Sequence, residues 1–348
     1  MDDFKIPKSA EQVIPQSENL FKSILFIGLL VLFMAIEQLG ITAIDSSFFY
    51  LYKPVDLIVK WALTIGLAVL NCILLTGMAV MAHESIHRVL FKSQFWNDLW
   101  GGILSALAGL LPFYANRQFH LLHHRHTHQP GLDPEEPLHN HSFWYAFIMG
   151  GLIGIYQHYK IVFANLFSFS TGHWNKGYQG LKDVCFVGLA VAFYFSFLPR
   201  IGISFWYTVA PTLLLQPLAY SFRALCDHYA FAPTLPPVVQ KSVHQAAGLE
   251  DEYPSFSGKK LQANSWVILT NPLLSWLWSN VNYHQVHHRY PYLSHRYLPQ
   301  IFEATKNEQT DAVVKGYFCC LLRLRKMQYY SSHEEVESLL EVGSGNAI

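Results

Sequence analysis

The sequence predicts an all-α integral membrane protein with four transmembrane helices and a cytosolic helical cap. Three observations carry this. Of 348 residues, 51% are hydrophobic and 14% charged, against roughly a quarter charged in an ordinary soluble domain. Four runs of near-membrane length are almost free of charge. The basic residues outside those runs fall overwhelmingly on one side of the implied bilayer.

The elements follow in chain order. Residues 1–22 are polar and carry both charge signs, so they read as a cytosolic segment with no evident cleavable signal. From Ser23 to Ile44 the only charge is Glu37, and from Trp61 to Ala82 there is none. Each run of about 22 residues makes a helix of about 33 Å, enough to cross a bilayer. Val184 to Pro199 is uncharged but spans only about 24 Å, so it must start near the interface or thin the bilayer. Ile201 to Phe222 is uncharged and full length, interrupted only by Pro211 and Pro217. One such run could be a buried soluble helix; four in one chain argue for a membrane. The expected organisation is therefore a membrane domain over 23–305, with spans at about 23–44, 61–82, 184–199 and 201–222. Its cap comprises 83–182 and 223–305, and a cytosolic C-terminal segment runs over 306–348.

With four spans, only Lys53, Lys60 and Arg200 lie opposite the N-terminus, leaving 21 of the 24 basic residues on its side. The positive-inside rule makes that side cytoplasmic, so both termini are expected there. Leu99 to Ala115 and Phe143 to Gln157 are apolar but borderline. Gly101, Gly102 and Pro112 weaken a spanning helix in the first of them, and a re-entrant or interfacial placement is the alternative. Pro233, Pro236 and Pro237 mark a loop, and Gly343 to Asn346 a frayed end. Acidic and basic residues balance at 24 each, which gives no field for nucleic acid. Five cysteines without CxxC spacing look like apolar filler.

The 18 histidines are the anomaly. "HESIH" carries His83 and His87 just after the second run. "HLLHH" carries His120, His123 and His124, and "NYHQVHH" carries His284, His287 and His288. On a helix, positions i, i+3 and i+4 share a face, so each box aims two or three imidazoles in one direction. Neutral imidazole suits iron, copper, nickel or zinc. Eight aimed ligands exceed one tetrahedral zinc and suit a dimetal site. His126, His128, His139, His141, His244, His295 and His333 read as surface histidines. The charge-poor runs themselves contain no histidine, which argues against axial haem ligands inside the bundle. A His-rich metal-binding or transport protein is the different-class alternative. A transport path, however, should be lined by intramembrane ionisable groups, and only Glu37 qualifies. Metals just outside the bilayer with apolar helices beneath them fit an enzyme acting on a lipid.

The order HxxxH, HxxHH, HxxHH, separated by apolar runs, resembles the integral membrane fatty acid desaturase superfamily over roughly residues 20–305. That superfamily also holds carotenoid ketolases and hydroxylases, alkane hydroxylases and fatty acid decarboxylases. "HHRHTHQPGLDPEE" and "NYHQVHHRYPYLSHRYLP" are similar to its bacterial members. The resemblance implies a non-haem diiron centre held by the eight box histidines. It further implies a ninth ligand at His228 in "FRALCDHYA", with Asp227 where many members have Glu. It places Asn282 beside the third box, where it could hold a metal-bound water or an imidazole, or simply cap a helix. Glu84, Asp227 and Asp133 are candidates to accept ring N–H bonds from ligands. His126 and His128 match no ligand of the family. Both early boxes can reach one centre only if Leu99–Ala115 dips in and returns, or lies along the surface.

The implied activity is O2-dependent oxidation of unactivated C–H bonds of a lipid, with a fatty acyl desaturase favoured. A decarboxylase forming terminal alkenes and a carotenoid ketolase or hydroxylase are the alternatives. Iron in its Fe2+ and Fe3+ states is the expected cofactor and O2 the co-substrate. The chain has no four-cysteine set and no separate haem domain, so electrons are expected from a partner: a ferredoxin, rubredoxin or cytochrome with its reductase. Arg88, Lys92, Arg117, Arg125, Arg223 and Arg289 lie near the boxes as candidates for an anionic head group.

Overall fold

The computed structural model describes residues 6–9, 11–46, 53–129, 131–231, 264–306 and 312–327. Two long helices begin the chain, α1 (Gln16–Ser46) and α2 (Lys53–Ile86). Helix α2 is the centre of the bundle: 61% of its apolar window is buried inside the protein, against 28% for α1. At 34 residues it is about 51 Å long. It therefore outruns a hydrocarbon core of about 30 Å by several turns. Those extra turns lift His83 clear of the apolar stretch. Outward-facing Leu32, Ile36 and Leu39 on α1 and Ile58, Ile65 and Val69 on α2 are exposed, as lipid-facing residues should be.

Helix α3 (Gln94–Leu107) is about 21 Å long and too short to cross. The chain then turns through Gly109 and Leu110, both at positive φ, and restarts after Pro112 as α4 (Phe113–His126). This is the return that the two early boxes require, since His87 and His120 end 2.9 Å apart. The start of α4 is held from another helix. Asp183 accepts from the Tyr114 and Ala115 amides at 2.7 and 2.9 Å, satisfying two of the free N–H groups of that first turn.

A four-residue α5 (Glu136–His139) leads to α6 (Phe143–Phe167), which runs ten residues beyond the apolar stretch read from sequence. Helix α7 (Trp174–Ala192) continues through a π turn (Phe193–Phe197) and α8 (Leu198–Arg200) as one 27-residue apolar helix. The expected span 184–199 is thus corrected. It starts ten residues earlier and needs no thinning of the bilayer. The charges that hid its beginning include Asp183, which is buried against α4 rather than exposed to lipid.

The fourth expected span is built from two helical pieces rather than one. Among the described residues three helices are long and apolar enough to cross a membrane: Gln16–Asp45, Val55–Ile86 and Trp174–Arg200. Residues 201–222 instead form a π turn (Phe205–Val209) and then α9 (Ala210–His228). Helix α9 has Pro217 inside it and a polar last third, which leaves its apolar part short. It packs on α2 and α6. The approach to α6 is close because Gly151 lies there: a Cβ on it would come within 1.9 Å of the Pro217 carbonyl oxygen. The Gly151 amide donates to Ser221 Oγ at 2.6 Å across the same joint.

The mostly helical architecture also carries one small sheet. Strands β1 (Trp266–Leu269) and β2 (Ala312–Lys315) pair in parallel, Trp266 opposite Ala312. A short helix α10 (Pro272–Leu277) follows β1, and α11 (His284–Arg289) carries the third box. Helix α12 (Leu298–Thr305) precedes β2, and α13 (Tyr317–Leu324) follows it. Residues 312–324 therefore pack on β1 and α9, although the sequence placed them in the terminal segment. The Lys22 ammonium ties α1 to this region, donating to Ser279 Oγ at 2.8 Å and to the Trp276 carbonyl. The proline-marked loop at 233–237 and the glycine-rich end at 343–346 lie outside the described residues.

Two outcomes test this architecture. Asp183→Ala removes the cap on α4 and should lower stability by about 1–2 kcal/mol, read as an earlier unfolding midpoint in detergent. An unchanged midpoint would deny Asp183 that role. Topology tags at the N-terminus and at Gln118 should report from one side of the membrane and a tag at Arg200 from the other. Opposite readings for the first two would break the dip-and-return path.

Candidate metal centre

Each box sits where a helix end meets the polar side of the bundle. The last turn of α2 and the residue beyond it present His83 and His87. Helix α4 presents His120, His123 and His124, the end of α9 presents His228, and α11 presents His284, His287 and His288. All nine expected ligands converge in two adjoining groups. In the first, His83, His87, His120, His124 and His287 have donor atoms within 4.8 Å of one another. In the second, His123, His228 and His288 meet the same limit, and His284 joins them.

The contacts are between ring nitrogens. Nε2 of His120 lies 2.9 Å from Nε2 of both His87 and His124, and His287 lies 3.1 Å from His124. In the second group, His228 Nε2 lies 3.1 Å from His123 and 3.0 Å from His284, which is 3.2 Å from His288. The His124 and His288 rings stack at 4.2 Å and join the halves. Both ring nitrogens of His83 and Nδ1 of His284 are buried with no hydrogen-bond partner among the described residues. So many lone pairs aimed at one another repel unless cations stand between them. The residues therefore fit a pair of metal ions.

Electrostatics agree. Burial pushes the imidazoles of His87, His120, His124, His228, His284, His287 and His288 well below the usual value, which keeps them neutral, the form that binds metal. His123 differs. Burial lowers it too, but the Asp133 carboxylate overrides that and raises it to about 9. Asp133 accepts from His123 Nδ1 at 2.8 Å, which leaves Nε2 directed inward at the site. Asp133 also accepts the His128 amide at 2.8 Å and the Glu135 amide at 2.9 Å. His128, Asp133 and His139 form a third compact buried group. Its carboxylate is already engaged by three donors, His123 Nδ1 and the His128 and Glu135 amides.

The other supporting residues stand differently from expectation. Glu84 lies 4.0 Å from His83 Nδ1, beyond hydrogen-bond reach, and accepts instead from the His295 amide and ring at 3.0 and 3.2 Å. It fixes the loop after the third box. Asp227 takes both of its hydrogen bonds from Arg223, at 2.5 and 2.7 Å, and sits 3.9 Å from His284 Nε2. Asn282 caps no helix, and its side chain is tied to the scaffold. Its amide bonds the Ile268 carbonyl at 2.9 Å and its oxygen accepts from Ser275, locking the approach to α11 against β1. His128, His139 and His295, read as surface residues, are buried. His244 and His333 lie outside the described residues.

Sequence reasoning missed the Asn264 carbonyl, which accepts from His128 Nε2 at 2.7 Å and His228 Nδ1 at 3.2 Å. A backbone acceptor leaves no trace in residue identity. It also missed Glu135, whose carboxylate lies 3.8 Å from His123 Nε2. Beside the histidines lies a cavity of about 110 Å³, reached by His83, His120 and His284 and walled by Ala79, Val80, Leu111, Leu138, Ala224 and Val281. Glu135, Arg223 and Asp227 also face it. Of the other basic candidates, Arg88 and Arg117 line a separate open cleft with Lys182.

The apolar helices and the converged imidazoles define a helical membrane protein with a histidine cage suited to metal. Its family is the fatty acid desaturase family: the family model described as fatty acid desaturase matches residues 60–317, and the chain belongs to it. No curated protein matches the chain.

Asp133→Asn should weaken metal binding by about 10–100-fold, because the tautomer of His123 is no longer enforced. Chelator competition on purified protein measures this. Unaltered affinity would remove Asp133 from the orienting role.

Proposed function

We propose that this protein is a fatty acyl desaturase, an O2-dependent membrane enzyme that holds two iron ions and removes a pair of hydrogens from a lipid chain. Its site and both termini face the cytoplasm on this reading, which the distribution of basic residues over four spans supports. The observation that carries it is the apolar-walled cavity opening onto histidines of both groups.

When bound, the reduced metal pair supplies O2 activation and hydrogen abstraction. The balance is fixed by electron count: one O2 accepts four electrons, two from the broken C–H bonds and two from an external donor, and leaves as two waters. The chain's own residues do the positioning. Val80, Leu138 and Val281 exclude water and hold a methylene against the histidine face, where a small displacement is costly in rate. The donor docks on the cytoplasmic cap, because the chain carries no iron–sulfur cysteine set of its own.

Cavity charge favours desaturation over decarboxylation. A decarboxylase must hold its substrate carboxylate within a few bonds of the reacting carbon, which calls for a free cation beside the histidines. Arg223 is the one Arg or Lys among the described lining residues. Its donors go to Asp227 and, at 2.9 Å, to Tyr317 Oη. Glu135 adds a carboxylate to the same wall, while Asp227 is paired with Arg223. A substrate carboxylate therefore meets no free side-chain cation among the described lining residues, and an uncharged methylene needs none.

The test is expression with an electron-donor system and mass spectrometry of extracted lipids. Acyl chains lacking one hydrogen pair are the expected product. A terminal alkene one carbon shorter would replace this reading with decarboxylation, and an oxygenated carotenoid with pigment oxidation. Metal binding without O2 consumption would return the protein to the binding or transport class. His287→Ala should abolish product while the protein still inserts in the membrane.

A further inference from the structure

The two halves of the centre are unequal. Five histidines form one, four the other. Donors bound at about 2.1 Å to one ion lie about 3 Å apart when adjacent and about 4.2 Å apart when opposite. The three nitrogen contacts of the four-histidine half, at 3.0 to 3.2 Å, all match the adjacent spacing. Two carboxylate oxygens come within the outer spacing: Glu135 Oε2 at 3.8 Å from His123 Nε2, and Asp227 Oδ2 at 3.9 Å from His284 Nε2.

These carboxylates are not equivalent. Asp227 is neutralised by the two Arg223 hydrogen bonds at 2.5 and 2.7 Å. Among the described residues no hydrogen-bond donor reaches the Glu135 carboxylate, although its side chain is only 14% exposed. An ionised carboxylate in so enclosed a place is costly without a cation beside it. The turn that follows α4 puts it there: Asp133 takes the Glu135 amide, while Glu136 turns away to the Gly131 amide at 2.7 Å.

We propose that the Glu135 carboxylate is the oxygen donor that completes the four-histidine half of the centre, on the side facing the cavity. This rests on the reading of the nine histidines as a dimetal cage. An anionic oxygen on one ion and none on the other makes the two ions chemically distinct. It also puts a carboxylate next to the substrate methylene, where a merely structural acid would have no reason to stand.

The experiment uses the full-length protein purified with iron-57 and examined by Mössbauer spectroscopy before any turnover. The wild type should hold two irons per chain in two distinguishable doublets. Glu135→Gln should shift one doublet and leave the other in place, which also shows that the cage still folds. The iron of the shifted doublet should leave to a chelator about tenfold faster or more. Adding acetate to Glu135→Ala should restore the original doublet, and Glu136→Gln should match the wild type throughout. Two unaltered doublets in Glu135→Gln overturn the assignment while leaving the dimetal reading intact. A wild type that binds no iron overturns the dimetal reading itself, and this assignment with it.

Discussion

Nine imidazoles turn ring nitrogens on one small buried space, an arrangement that cations lying among them would stabilise. That constraint governs the rest of the molecule. The contacts of about 3 Å between ring nitrogens are spacings typical of donors around an ion. Each ligand comes from a helix that is anchored elsewhere, so the cage depends on the scaffold meeting it at the correct height. Helix α2 meets this demand by outrunning the bilayer, and α3 by being too short to cross it.

Much of the anchoring is done by buried acids that a hydropathy reading treats as breaks. Asp183 holds the first turn of α4 from α7, and Asp133 holds His123 from the turn beyond α4. Glu84 fastens the loop after the third box to the end of α2. Each carboxylate accepts two or more hydrogen bonds, which offsets the cost of removing it from water. The small parallel sheet serves the same end. Strand β1 fixes Asn282 and, through it, the start of α11, while the Asn264 carbonyl just before it steadies His128 and His228.

The cavity joins two environments that rarely coexist. Its aliphatic wall suits an alkyl chain, yet Glu135, Asp227 and Arg223 stand in the same space. Arg223 and Asp227 largely cancel, with the guanidinium also packed over Trp278 and Tyr317. What remains is a neutral-to-anionic pocket beside a site built for cations.

The sequence by itself determined the membrane class, the three histidine boxes and their aim. Absent charge and i, i+3, i+4 spacing are local properties that no packing can reverse. His228 was found only through the likeness of "FRALCDHYA" to a family pattern, since a lone histidine carries no spacing of its own. Tertiary structure alone decided where α7 begins and why the fourth run is not a simple span, because Asp183 and Pro217 find their partners on other helices. It also decided which acid faces the cage. Glu135 and Glu136 are neighbours of identical chemistry, and only the fold of the turn sends one toward His123 and the other toward Gly131. Residue identity sets what a side chain can do; the path of the backbone sets what it meets.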